Sequence, residues 1–296
     1  MLMITVFTPT YNRAHLLPRL YESLCRQTYA DFEWLVVDDG STDGTASLLR
    51  SYEAEGRIRL RYVRQPNGGK HTAINRGVGL ARGEWFFIVD SDDSLPERSL
   101  ETVQHYAAQI AALPDFCGVS GPRCYPDGST VGGSLPFAEL DTDCVTLRTR
   151  YRVKGDMAEV WRTDVLRRYP FPVYEGERFM SEGVVWSQIA LRYRLRYFNA
   201  NIYECEYQPD GLTYHIRRHH RQSPRGSMLL YARLMADRRY PWLHRVRSAI
   251  NYWRYTIGFA GRRSSELRPA LWAWAFWPAG WLFRLLDLRR EQRAGL

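Results

Sequence analysis

Short apolar runs alternate with amphipathic stretches through the first 120 residues. The runs at 3–8 (MITVFT), 33–38, 58–63 and 84–90 have the length of buried strands. Between them, 14–27, 43–54 and 71–82 carry helical spacing, as in Leu16, Leu17, Leu20 and Leu24. Strand and helix alternating with short connections predict an α/β fold with a doubly wound, mostly parallel sheet. A helix over 96–112 and a strand over 116–120 follow, and the Gly-, Pro- and Asp-rich stretch 121–142 predicts a long loop. Further on, 156–168 predicts a strand then a short helix, 182–193 an amphipathic helix and 195–207 a strand. Everything from 225 onward predicts helix, and no internal repeat is present.

Doubly wound sheets bind ligands at the carboxyl ends of their strands. Three such ends carry polar clusters: Thr8-Pro-Thr-Tyr-Asn-Arg13, Val37-Asp-Asp-Gly-Ser-Thr-Asp-Gly44 and Asp90-Ser-Asp-Asp93. Each alone has the composition of a turn, and Ser41-Thr42-Asp43 that of a helix cap. All three at one sheet edge point instead to a binding site. Asp90 and Asp92, two apart on a strand-to-loop bend, suit one hard divalent cation. Such a cation keeps positions open for phosphate oxygens and so holds a nucleotide diphosphate.

Composition narrows the choice. The chain has 296 residues, 45% of them hydrophobic, and a net charge of +9, which excludes a disordered chain. Five cysteines without a C-x-x-C pair exclude a disulfide scaffold and imply reduced, cytosolic thiols without structural zinc. The chain starts straight into Met1-Leu-Met-Ile with no basic leader, so no secretory signal is expected. Of 41 basic residues only Lys70 and Lys154 are lysine. Lys70, in Asn67-Gly-Gly-Lys70, reads either as a point charge for a base or phosphate or as a solvated loop charge. It is no P-loop lysine, because Arg64 and His71 stand where Gly and Ser/Thr are required. Gly77-Val-Gly79 falls inside a helix and is no dinucleotide turn. His215, His219 and His220 lie in a strongly basic run and are not expected to ligate metal.

The charge is unevenly spread. Residues 1–200 hold 24 basic and 25 acidic side chains, whereas 201–296 hold 17 and 7 and six of the ten Trp. The 15 residues between Arg268 and Arg284 are uncharged and include Trp272, Trp274, Trp277 and Trp281. That is too short to cross a bilayer and fits either an interfacial helix on an anionic leaflet or a helix packed back on the protein.

The set FTPTYNR, VVDDGSTDGT, NGGKHTAINRG and ARGEWFFIVDSDD, in this order over about residues 1–115, resembles the inverting family 2 glycosyltransferases of GT-A fold. VKGDMAEVWRTDVL, YEGERFMSEGVVW and CEYQPDGLT extend the likeness toward one bacterial polysaccharide or cell-surface glycan subgroup. The resemblance implies a GT-A catalytic domain over 1–224, with a nucleotide-sugar half (1–115) and an acceptor half (116–224), followed by a basic, Trp-rich helical extension (225–296). Thr8, Pro9, Tyr11 and Arg13 would border the base and ribose. Asp39, with Asp38 alongside, would accept from a uracil N–H. Lys70 would reach base or phosphate. Asp90 would meet ribose or metal, with Ser91 beside it, and Asp92 the metal and diphosphate. The metal would be Mn2+ or Mg2+.

Inversion needs one carboxylate to take the acceptor's proton. Many family members use a Glu-Asp pair, but here Ser181-Glu182-Gly183 lacks the second acid, so Glu182 is either that base or a helix-capping acid, and Asp156 is the other candidate base. The implied activity is transfer of a hexosyl or N-acetylhexosaminyl group from a nucleotide diphosphate, most simply a UDP-sugar. The acceptor would be a hydroxyl of a glycan or lipid-linked glycan, and the site of action the cytoplasmic face of the plasma membrane. A sugar nucleotidyltransferase would instead show a Gly-rich phosphate loop after the first strand. A nucleic-acid-binding protein would spread its basic residues over the slightly acidic first 200 residues. Nucleic acid is therefore not an expected partner.

Overall fold

The computed structural model describes residues 3–206 and 216–293. His215 and all of the QPDGLT segment lie outside the described residues. The elements run β1 (Ile4–Thr10), α1 (Leu17–Cys25), β2 (Phe32–Asp38), α2 (Thr45–Glu55), β3 (Leu60–Arg64), α3 (Lys70–Leu80), β4 (Trp85–Ile88) and α4 (Ser99–Ile110). Then come β5 (Phe116–Cys124), β6 (Glu139–Thr142), α5 (Cys144–Thr149), β7 (Met157–Arg162), α6 (Thr163–Arg168), α7 (Gly183–Ile189), β8 (Arg194–Phe198) and β9 (Tyr203–Glu204). The chain ends in α8 (Ile216–Gln222), α9 (Pro224–Ala236), α10 (Trp242–Thr256), two 3-10 turns at Ser265–Leu267 and Leu271–Phe276, and α11 (Trp277–Arg293).

The chain divides into two units, Met1–Phe171 with Gln188–Pro209, and Pro172–Ser187 with Asp210–Leu296. In the first, the strands form one sheet in the order β3-β2-β1-β4-β7-β5-β8-β6, with β9 beside β5. β1 pairs in parallel with both β2 and β4, so the chain winds outward to β3 and then returns past β1. That reversal makes the topological switch point of a doubly wound sheet, and it opens a crevice at the carboxyl ends of β1, β2 and β4. β7 runs antiparallel to both β4 and β5. Its first residues therefore lie beside the last residues of β4. This places Asp156, just before β7, at the same edge as Asp90.

Strands β1 and β2 are buried along their whole length, which is why they read as continuous apolar runs. Helix α3 comes close to β1 because Gly77 has no side chain: a Cβ there would stand 2.1 Å from the Phe7 ring. At the opposite edge, Glu33 accepts from Thr5 Oγ1, Arg82 N–H and Arg61 Nη1, each at 2.8 Å. Burial raises that carboxyl, but the three donors outweigh it and hold it below the usual range.

Two expectations for this unit need correction. The stretch 121–142 is not one loop, because β5 continues to Cys124 and Glu139–Thr142 forms β6 on β8. β6 escapes a hydrophobic pattern because it is an edge strand with the sequence ELDT. The expected strand 195–207 is two, β8 and β9, each on a different stretch of β5.

In the second unit, Glu177 caps α9 by accepting from the N–H groups of Arg225 (2.8 Å) and Gly226 (2.9 Å). Its carboxylate thus satisfies two of the donors that every helix start leaves over. His220 is buried among Phe179, Tyr231 and Tyr255 rings, with Nδ1 2.9 Å from Ser227 Oγ. It stands apart from solvent within its basic run. The tail packs back on α10: Tyr252 O–H donates to Leu267 O (2.7 Å), and Trp253 Nε1–H to Ala273 O (2.8 Å). Asp287 receives Arg254 bidentately, with both bonds at 2.6 Å.

Candidate active site

The crevice edge is built on Asp39. Its backbone N–H continues the β1–β2 ladder to Thr10 O (2.8 Å), and its carboxylate turns toward the loop before α3. One oxygen accepts from Gly68 N–H (2.9 Å) and Gln65 Nε2 (2.8 Å), the other from Gly69 N–H (2.7 Å). Gly69 takes φ +92°, a conformation other residues rarely adopt, and so turns the chain straight into α3. Asp38, fully buried, accepts from Ser41 N–H (2.7 Å) and Tyr62 O–H (2.8 Å) and fixes the Gly40-Ser41 turn. Thus the double Asp after β2 shapes two loops, one with each carboxylate.

Lys70 is the first residue of α3, and its ammonium lies 2.7 Å from an Asp90 oxygen. The pair is about a quarter to a third exposed, with side-chain exposures of 27% and 30%. Burial raises the Asp90 carboxyl, but Lys70 and Arg123 outweigh it and bring it below the usual range. Asp92 is raised, by burial and by the charge of Asp90, against the pull of Arg13 and Lys70. The last acid of the turn, Asp93, is buried and pushed up to about 7 by burial and Asp90. These are three carboxyl groups in four residues, one paired with a cation and the other two held against their charge.

Tyr203 fixes the turn from behind. Its hydroxyl accepts from Asp90 N–H (3.0 Å) and donates to Asp93 Oδ2 (2.6 Å). Arg123 covers the Tyr203 ring, with its guanidinium carbon 4.3 Å from the ring centre. Neither Tyr203 nor Arg123 stands out in the sequence, since each is one polar-tipped residue in a strand.

The remaining expected residues are placed as follows. Thr8 accepts from Trp34 Nε1–H (2.9 Å) in the core, and Pro9 is buried in β1. Tyr11 is 47% exposed beyond the strand, and Asn12 holds a positive φ of 53°. Arg13 acts electrostatically on Asp92, and Ser91 is buried. Asp156 is exposed. Glu182 belongs to the second unit, where its carbonyl starts α7 by accepting from Val185 and Trp186 N–H. Near the same edge, Thr10 Oγ1 and His71 Nδ1 are buried with no protein partner, groups that a ligand or water would satisfy.

No group of three or more His, Cys, Asp or Glu side chains suited to a metal occurs among the described residues. Asp90 and Asp92 nevertheless fit a divalent cation that shares its remaining positions with phosphate and water, because Asp92 is destabilised by the neighbouring charge that such a cation would neutralise.

Residues 5–119 match the family model described as glycosyl transferase family 2. A glycosyltransferase of PGL/p-HBAD biosynthesis from Mycobacterium bovis is 40% identical over 135 residues, 46% of this chain and 49% of the relative. The chain thus spans about half the length of that curated relative. Among solved structures, residues 1–349 of Staphylococcus aureus TarS in complex with UDP-GlcNAc superpose with a TM-score of 0.64 at 18% identity, covering 94% of this chain and 79% of that one. The mannosyltransferase PcManGT of Pyrobaculum calidifontis, in complex with GDP-Man and Mn2+, gives 0.56 at 19% identity, covering 96% and 87%. The sheet and its flanking helices therefore have the GT-A fold.

Proposed function

We propose that the chain transfers a sugar from a nucleotide diphosphate, a UDP-sugar, to a hydroxyl of a glycan or lipid-linked glycan, in keeping with the match of residues 5–119 to the glycosyl transferase family 2 model. The observation that carries this reading is the meeting of Lys70 with Asp90, beside Asp92, at the crevice that Asp39 shapes. The UDP-GlcNAc complex of the TarS neighbour supports the choice of donor.

Asp39 and the loop it holds border the base, with Thr8, Pro9, Tyr11 and Arg13 lining base and ribose. Lys70 and Arg13 bring positive charge to the diphosphate. Asp90 and Asp92 would hold Mn2+ or Mg2+, which when bound supplies charge to the leaving diphosphate. A carboxylate takes the proton of the acceptor hydroxyl: Glu182 is the candidate that the family resemblance suggests, and Asp156 is the alternative base. The acceptor oxygen forms its bond to the anomeric carbon on the face opposite the diphosphate. The bond from that carbon to the diphosphate oxygen breaks, and the nucleoside diphosphate leaves with the electron pair. Configuration is thereby inverted. The site of action is the cytoplasmic face of the membrane that carries the acceptor.

A panel of UDP-sugars and GDP-Man with Mn2+ or Mg2+, read by nucleoside diphosphate release and by thermal shift, tests the reading. Release of UDP from one UDP-sugar, lost in Asp92→Asn, is the expected result. Full turnover in Asp92→Asn removes the metal assignment, and no stabilisation by any nucleotide sugar removes the donor class. Full transfer by Glu182→Gln moves the base to Asp156.

A further inference from the structure

Helix α11 is apolar around most of its circumference over its first three turns, yet the second unit covers only one stripe of it. Gly280 and Asp287, seven residues apart, mark that stripe. A Cβ at Gly280 would stand 2.3 Å from Trp253 Cβ, and Asp287 is clamped by Arg254. On the far side Leu282 is 54% exposed, with Trp281 beside it at 45%. The 3-10 turn that leads into the helix adds Leu271, 90% exposed, and Trp274, 53% exposed. A helix apolar on all sides is ordinarily covered on all sides, and a contiguous exposed patch of this kind marks an interaction face.

We propose that this outward face of α11 and its leading turn lies in the plane of an anionic lipid surface. Charge complementarity selects the occupant. Arg268 precedes the apolar segment and Arg289 and Arg290 follow it, all three exposed, within a region of 17 basic and 7 acidic residues. Cations at both ends of a Trp- and Leu-rich face match headgroup phosphates above an acyl boundary. A second copy of the chain would set the same cations against each other, and a nucleic acid would leave Leu271 and Leu282 in water. Among the described residues no helix is long and apolar enough to cross a membrane.

The proposal stands on the second unit alone and is tested without sugar transfer. The full chain is mixed with phosphatidylcholine vesicles with or without phosphatidylglycerol and sedimented. Binding only to the anionic vesicles, weakened by salt and lowered about tenfold or more in Leu271→Ser/Leu282→Ser, is expected. Melting temperature and light scattering of the variant accompany the assay. Quenching of tryptophan fluorescence by bromine-labelled acyl chains checks insertion in the unaltered protein. Point variants are used because deleting the tail would take Ala273 O from Trp253 and Asp287 from Arg254. Absence of binding, absence of quenching, equal binding by the folded double variant, or a dimer that the variant abolishes would each overturn the proposal.

Discussion

The Lys70 ammonium sits 2.7 Å from Asp90 although the two residues come from different crossovers of the sheet, one opening α3 and the other following β4. In a chain with 39 arginines, a lysine at this point is a choice of shape. A compact ammonium fits between a carboxylate and a phosphate, where a planar guanidinium demands a wider, forked partner. Lys70→Ala is expected to lower kcat/KM for the donor about 100-fold or more, and Lys70→Arg to recover only part of it. Steady-state kinetics of both variants, with donor concentration varied, check this.

Asp39 offers a sharper test of construction against chemistry. In Asp39→Asn the amide nitrogen replaces an acceptor that now meets a backbone N–H of Gly68 or Gly69. Leaving one buried donor unmet costs about 1–3 kcal/mol, and the displaced loop carries Lys70 with it. The expected outcome is a lower melting temperature together with weaker UDP binding by calorimetry. A variant with wild-type stability and UDP affinity would show that the carboxylate does not hold this loop.

Gly77 and Gly79 lie two apart in α3 and should respond with opposite signs. A Cβ at Gly77 meets the Phe7 ring at 2.1 Å, whereas at Gly79 it meets nothing within 4 Å. Gly77→Ala should cost about 1–3 kcal/mol through overpacking. Gly79→Ala should stabilise by about 0.5–1 kcal/mol through helix propensity and a less flexible unfolded chain. Urea unfolding of the two variants reads both signs in one series.

His220 makes the second unit sensitive to acid. Burial, with the charges of His219 and Arg254, lowers its pKa to about 4. In the unfolded chain the ring titrates near about 6.5. Between those values the unfolded state binds a proton that the folded state refuses, so stability falls as pH drops. Above that window the contribution is constant, and across it the loss approaches about 3 kcal/mol. Melting temperatures of wild type and His220→Phe should diverge as the pH falls through this window, with the variant keeping more of its stability. Parallel curves would place the ring in contact with solvent.

What the sequence discloses depends on whether a role is local. The ends of β1, β2 and β4 are legible because each apolar run stops at a short polar cluster, and Asp38, Asp39, Asp90 and Asp92 stand in those clusters. Lys70 is legible through its rarity and its two glycines. Tyr203 and Arg123 are not, because their roles arise only when β9 is laid beside β5. Nothing around Cys205 announces a hydroxyl that must bridge Asp90 and Asp93. β6 is hidden for a related reason: an edge strand needs pairing partners more than a hydrophobic face. In the tail, 15 uncharged residues left two readings open; the fold packs one stripe back on α10 and leaves another exposed, which no apolar pattern along the chain tells apart.

The hydroxyl of Tyr203 reaches Asp90 from 113 positions further along the chain. The first 119 residues are therefore no detachable cassette. A fragment ending near residue 119 would keep Asp39, Asp90, Asp92, Asp93 and Lys70 and still lose the brace that shapes their turn. Grafting such a segment between enzymes would exchange recognition loops successfully only if the receiving protein brought its own counterpart of Tyr203. The shape of the turn thus depends on two stretches of the chain that only the folded sheet brings together.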